Sequence, residues 1–121
     1  MVRAVIDTNI LVDYLRGIPF AATELALYKN PAISTISWIE VMAGTTTQTE
    51  KTARAFLQTF DLLEIDAKVA EQAVIFRKTR RVKLPDAFIW ATAQVHNCLL
   101  VTRNTRDFNP NEPGVRVPYI L

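Results

Sequence analysis

Val2-Arg3-Ala4-Val5-Ile6-Asp7-Thr8-Asn9-Ile10-Leu11-Val12-Asp13-Tyr14-Leu15-Arg16-Gly17 contains the change of period that decides the fold. Val2 to Ile6 is a short β-branched and apolar run ending at Asp7, and Ile10, Leu11, Tyr14 and Leu15 then recur at helical spacing until Gly17. The stretch therefore reads as a strand that passes directly into a helix, with an acid at the junction.

The same alternation continues outward along the chain. Pro19 is placed to open a helix through Tyr28, and Pro31 stops it before Ala32 to Ile36 forms a second strand. Ser37 to Ala43 reads as a short helix closed by Gly44, and Thr45 to Thr49 as a loop. Ala53, Phe56, Leu57 and Phe60 mark one face of the next helix, and Leu62 to Ile65 makes a third strand. Asp66 can cap a helix carrying Val69, Ala70, Ala73, Val74 and Phe76, which runs into the basic stretch Arg77 to Lys83. Pro85 starts a largely apolar helix through His96, Leu99 to Thr102 is a fourth strand, and Asn104 to Phe108 is a turn or short helix. Val115 to Ile120 is placed as an edge strand, because Pro118 cannot donate to a ladder. Strands separated by helices imply right-handed crossovers, so the predicted fold is α/β, with a mainly parallel sheet of four to five strands sandwiched between helices.

Composition sets the outer limits. A chain of 121 residues fits one domain with one continuous core, and its half-apolar, one-fifth-charged balance belongs to a packed protein rather than a disordered one. Residues 1–121 are therefore expected to form a single domain. No apolar run approaches the roughly 20 residues of a membrane span, and the N-terminus lacks signal-peptide features, so the expected location is the cytoplasm and no membrane partner is expected. Cys98, the single cysteine, has no intramolecular disulfide partner and reads as a core residue. A net charge of +2 does not by itself argue for nucleic acid.

The informative pattern lies in the carboxylates. Asp7 ends the first strand, Glu40 follows the second, Asp86 opens the apolar helix and Asp107 follows the fourth strand. Each has an ordinary explanation taken alone. Asp7 can cap a helix, Ser37-Trp38-Ile39-Glu40 matches a capping box, Asp86 can complement a helix N-terminus, and Asp107 can be a turn residue. Together they fall after successive strands, on the edge where α/β sheets bind ligands. Oxygen ligands without cysteine or histidine suit a hard cation, Mg²⁺ or Mn²⁺, better than zinc, and His96 alone cannot make a zinc site.

Ile6-Asp7-Thr8-Asn9-Ile10-Leu11, the Glu40 helix, Leu84-Pro85-Asp86-Ala87 with Ala91-Thr92-Ala93, and Leu100 through Phe108 together resemble the PIN-domain family, especially its VapC-type toxins. The resemblance spans nearly the whole chain in order. It implies a metal-dependent endoribonuclease of a type II toxin–antitoxin pair, with Asp7, Glu40, Asp86 and an acid of the last motif around Mg²⁺. Some members carry an acid where this chain has Asn104, so the fourth place falls to Asn104 or Asp107; Asp107 is taken as the carboxylate and Asn104 as its support. The resemblance also implies a homodimer and a cognate antitoxin protein. Tyr14, Leu15, Phe20 and Leu27 supply more apolar surface than one small core needs.

Four carboxylates within a few ångströms repel, each close pair by roughly 4 kcal/mol at an effective dielectric near 20, unless a cation neutralises them. A bound Mg²⁺ would hold the scissile phosphate and acidify a coordinated water for in-line hydrolysis. Thr8, Asn9 and Thr102 stand beside the acids in sequence and are expected to orient them. Arg77, Lys78, Arg80, Arg81 and Lys83, with Arg103 and Arg106, are the candidate RNA-backbone contacts, against the plainer reading of a solvated helix end. Trp38 and Trp90 can stack on bases, although core packing suits such apolar helices better. The competing class is a non-catalytic PIN-like module binding RNA or protein. An aspartyl-phosphate mechanism at Asp7 wants an acid where Asn9 stands, and the three glycines form no phosphate loop.

Overall fold

The computed structural model describes residues 3–121, so Val2, read into the first strand, lies outside the described residues. Five strands, β1 (Ala4–Ile6), β2 (Ala32–Ser34), β3 (Asp61–Leu63), β4 (Leu99–Val101) and β5 (Val115–Arg116), form one sheet in the order β3-β2-β1-β4-β5. Every neighbouring pair is parallel. Six helices connect them: α1 (Thr8–Leu15), α2 (Pro19–Leu25), α3 (Thr35–Ala43), α4 (Glu50–Leu57), α5 (Ala67–Thr79) and α6 (Leu84–Val95). This is the helix-flanked parallel sheet that the sequence predicts.

The central strands β1, β2 and β4 lack polar alternation because both of their faces are largely buried. Ala4 and Ile6 pack with Ile33 and Val101 beneath α1, α2, α3 and α4, where Ile10, Leu11, Ala21, Val41, Ala53 and Leu57 complete a core. Val5, one residue out of phase, faces the opposite core with Ala32, Leu100, Val69, Phe76 and Trp90, beneath α5 and α6. In that second core Phe76 stacks on Trp90 at 4.0 Å between ring centroids, and Trp90 meets the edge of Phe108 at 5.5 Å. Cys98 is a buried free thiol, and among the described residues no helix is long and apolar enough to cross a membrane.

Several boundaries shift from those expected, each for a local reason. β2 stops at Ser34 because the Ser34 hydroxyl accepts from the Ile36 amide at 3.0 Å and caps α3, which then begins at Thr35 rather than Ser37. Ser37 is thereby placed inside the helix, which removes the Ser37–Glu40 capping box. α2 ends at Leu25 rather than Tyr28, and α4 at Leu57 rather than Phe60. β3 begins at Asp61 and ends at Leu63, with Asp66 capping α5 through the Val69 amide at 2.9 Å. β5 pairs over two residues only, short of Pro118. Gly17, at φ 79°, ends α1 in the left-handed conformation that lets the Ile18 amide reach back to the Asp13 carbonyl at 3.0 Å.

The sheet order positions the site. The chain moves outward from β1 through β2 to β3, then returns to the other side of β1 with β4 and β5. The connections leaving β1 and β4 therefore diverge, which opens a crevice at their carboxyl ends. Asp7 directly follows β1, and Thr102 directly follows β4.

Candidate active site

Asp7 is almost fully buried at that crevice. Its carboxylate both caps α1 and faces the site, so the capping and site readings hold at once. Oδ1 accepts from the Thr8 amide at 2.7 Å, and Oδ2 accepts from the Thr102 hydroxyl at 2.7 Å and from Asn9 Nδ2 at 3.3 Å. Burial lifts the Asp7 carboxyl to about 6 against those hydrogen bonds, and the negative charge of Glu40 adds to the rise.

The Thr8 hydroxyl donates to Glu40 Oε1 at 2.7 Å and lies 3.0 Å from the buried Ser37 Oγ, tying α1 to α3. Glu40 thus reaches across to the first helix instead of back to its own. Thr102 links the elements further: its hydroxyl oxygen accepts from the Asn104 amide at 3.0 Å while donating to Asp7. Asn9 Oδ1 accepts from the Arg103 amide at 3.3 Å. Asn104 in turn clasps Asp107, with Nδ2 donating to Asp107 Oδ2 at 2.8 Å and Oδ1 accepting from the Asp107 amide at 3.2 Å.

Asp86 sits in the first turn of α6, behind Pro85. Its carboxyl is raised to about 7, first by burial and then by the charges of Asp7, Asp107 and Glu40. The four predicted acids therefore share one electrostatic field. Among the described residues none of them is paired with a lysine or arginine. No three acids, histidines or cysteines among those residues are drawn into a closed ion cage, so the carboxylates line a common edge without forming a finished coordination sphere. An all-oxygen donor set with unrelieved negative charge fits a hard divalent cation.

The basic candidates divide. Arg103 is not free: its Nε and Nη2 donate to Asp13 Oδ2 and Oδ1 at 2.6 and 2.9 Å, and the Tyr119 hydroxyl donates to the same carboxylate at 2.8 Å. The Arg103 guanidinium holds the Asp13 carboxyl below its ordinary range. Arg77 donates to the Val82 carbonyl at 2.9 Å, and Arg80 pairs with Glu112 at 2.8 Å. Lys78, Arg81, Lys83 and Arg106 are exposed and make no ion pair among the described residues. The sequence did not single out Asp13 or Tyr119, and it offered Ser37 as a helix cap instead of as a partner of Thr8. An acid three residues beyond Ile10, on the apolar stripe of α1, was the available signal for Asp13.

A profile of the PIN domain family matches residues 4–109. Ribonuclease VapC19 of Mycobacterium tuberculosis is 35% identical over 126 aligned positions, which cover 94% of this chain and 98% of that protein. A chain of a toxin–antitoxin complex from Klebsiella pneumoniae is 43% identical and superposes with a TM-score of 0.92, covering 98% of this chain and 99% of that one. VapBC2 from Rickettsia felis, solved bound to a fragment of promoter DNA, superposes with a TM-score of 0.79 at 22% identity over 94% and 96% of the two chains, a likeness of fold alone. With the acids at the switch point of a parallel sheet and these relatives matched along nearly their full length, the chain belongs to the PIN domain family and, within it, to the VapC type.

Proposed function

We propose that this chain is a divalent-metal-dependent endoribonuclease, the toxin of a type II toxin–antitoxin pair, acting in the cytoplasm as a single domain over residues 1–121. One contrast carries the reading. The buried acids outside the crevice, Asp13 and Glu24, are each held by an arginine, Arg103 and Arg116. Asp7, Glu40, Asp86 and Asp107 are held instead by neutral donors or by none. Neutral donors orient a carboxylate without cancelling its charge, which leaves that charge for an external cation. The relatives' names, a ribonuclease and a toxin–antitoxin complex, support the substrate and the partner.

In this reading Asp7, Glu40, Asp86 and Asp107 would hold Mg²⁺, with Mn²⁺ as the alternative, which when bound supplies Lewis-acid activation of water and charge stabilisation at the phosphate. Thr102 and Asn9 fix the rotamer of Asp7, Thr8 fixes Glu40, and Asn104 fixes Asp107. The raised Asp86 carboxyl can carry a proton near neutrality when no cation is bound. Lys78, Arg81, Lys83 and Arg106 remain for the RNA backbone, whereas Arg103 acts by locking the loop after β4 onto α1. The exposed side chains of Tyr14, Phe20 and Leu27 offer apolar surface for the antitoxin or a second copy of the chain.

Incubation of the purified chain with tRNA, rRNA and mRNA, with and without Mg²⁺, tests the reading. Cleavage should require the cation and disappear in Asp7→Asn. Metal-independent cleavage, or full cleavage by that variant with contaminating nuclease excluded, would overturn it.

A further inference from the structure

A cavity of about 460 Å³ opens beside Asp107, walled by Arg80, Trp90, Arg106, Asn109 and Glu112 as well as by Asp107 itself. We propose that it is a subsite for one unpaired nucleobase next to the phosphate being cleaved, and so extends the ribonuclease reading on which it rests.

Trp90 is only 4% exposed, yet its indole N–H has no partner among the described residues and is not sealed from solvent. A tryptophan in a core of this kind normally satisfies that donor, and here the cavity is the space its ring lines. The Arg80 guanidinium lies 5.9 Å from the Trp90 ring centroid and is fixed there by Glu112, whose Oε1 accepts from both Nε at 3.3 Å and Nη2 at 2.8 Å. Glu112 Oε2 is left with no donor among the described residues. Asn109 Oδ1 accepts from the Asn111 amide at 2.9 Å, which orients the rest of that amide.

The walls therefore offer a carboxylate acceptor and a guanidinium plane held by Glu112, and the Trp90 indole, whose N–H is free of a protein partner among the described residues, lines the same space. Every nucleobase presents donors and acceptors on its edge and a face that stacks on aromatic or guanidinium planes. A base still in a duplex has its edge occupied and cannot enter a concave site, so the cavity selects unpaired nucleotides. Arg106, exposed and outside any ion pair among the described residues, stands at the mouth where the adjoining phosphate would pass. Continuity with Asp107 places such a base beside the proposed cleavage point.

The test uses the full chain in calcium buffer, which supplies a hard cation while keeping the strand intact, and a Trp38→Phe variant in which Trp90 is the remaining tryptophan. Single-stranded hexanucleotides that together carry all four bases are titrated alongside an abasic strand of equal phosphate number. At least one base-bearing strand should quench Trp90 emission saturably and bind about ten-fold more tightly than the abasic strand, the effect expected from a stacked and hydrogen-bonded base. Thr105 is exposed and also lines the cavity, so Thr105→Phe should fill it and reduce that strand to the abasic level. Anisotropy of labelled strands on the parent chain reports the same comparison should Trp38→Phe disturb folding. Equal binding of abasic and base-bearing strands, or indifference to Thr105→Phe, overturns the subsite. Base-dependent binding without cleavage in Mg²⁺ would retain the subsite and remove the ribonuclease reading.

Discussion

Replacing Asp86 by Asn should make the metal-free protein more stable while abolishing RNA cleavage. The Asp86 carboxyl stands at about 7 in the folded chain against an ordinary 3.8. A raised carboxyl means that the folded state holds its proton more tightly than the unfolded state does. Below pH 3.8 both states are protonated and the group contributes nothing. Between pH 3.8 and about 7 the unfolded chain ionises first, so stability falls as pH rises, and above that window the loss is constant. The full interval would correspond to about 4 kcal/mol at 1.36 kcal/mol per pH unit. Asp86 is partly open to water, and screening reduces the effect to roughly 1 to 2 kcal/mol.

Asn keeps the shape and removes the charge, so in EDTA at pH 8 Asp86→Asn should melt roughly 3 to 8 °C above the parent. Between pH 8 and pH 5 both proteins should gain stability through Asp7, raised to about 6, and the parent should gain more because Asp86 adds its own rise. Asp13 and Glu24, whose carboxyls are lowered by Arg103 and Arg116, keep their contribution down to that pH and do not mask the effect. Scanning calorimetry of both proteins at both pH values, with an RNA-cleavage assay in Mg²⁺, measures the pair of effects. An Asp86→Asn protein that melts below the parent in EDTA, or that cleaves RNA at the parental rate, would refute the electrostatic argument.

Mg²⁺ or Mn²⁺ at millimolar concentration should raise the melting temperature of the parent and do so far less in Asp7→Asn, which calorimetry would show as a lost shift. Asp13→Asn should cost about 2 kcal/mol in urea denaturation, less than the ~3–5 kcal/mol of a fully buried pair because Arg103 remains partly exposed. It should also lower kcat more than KM, since the loop bearing Thr102, Asn104 and Asp107 loses its anchor. Thr102→Val keeps the volume of the buried side chain but removes the hydrogen bond to Asp7, and cleavage should fall by roughly ten-fold or more with little change in fold by circular dichroism. Light scattering of the purified chain should give a dimer, and co-expression with the neighbouring small gene should yield a stable inhibitory complex. A monodisperse monomer with no co-purifying inhibitor would favour a solitary nuclease.

Much of the frame was legible because its signals are local. The switch from the Ala4-Val5-Ile6 strand to the α1 period marked Asp7 at a junction, and the apolar helix behind Pro85 placed Asp86 at its start. What escaped was set by competition or by distance. Both Ser34 and Ser37 can cap α3, and only the pairing of β2 with β3 up to Ser34 decides between them. The bond from Thr8 to Glu40 spans 32 positions, and that from Arg103 to Asp13 spans 90. Such partners depend on which face of α1 meets the sheet, a matter of packing that no window of sequence encodes. The short β5 reflects Pro118 together with a C-terminal segment held by Tyr119 instead of by a ladder.

Arg103 shows why that distant contact matters for the site. It directly follows Thr102 and precedes Asn104, two residues whose side chains organise Asp7 and Asp107. A free guanidinium at that position would add positive charge beside the carboxylates and oppose the entry of an external cation. Asp13 removes it by a two-bond contact from the buried face of α1, and Tyr119 completes that carboxylate with a third donor. Glu24 binds Arg116 in the same way, again with a tyrosine, Tyr28, on the acid. The chain thus sorts its buried acids by their donors. Where an arginine and a phenol saturate the carboxylate, it fastens the C-terminal segment or the loop after β4. Where only hydroxyl and amide donors hold it, its charge stays available at the crevice.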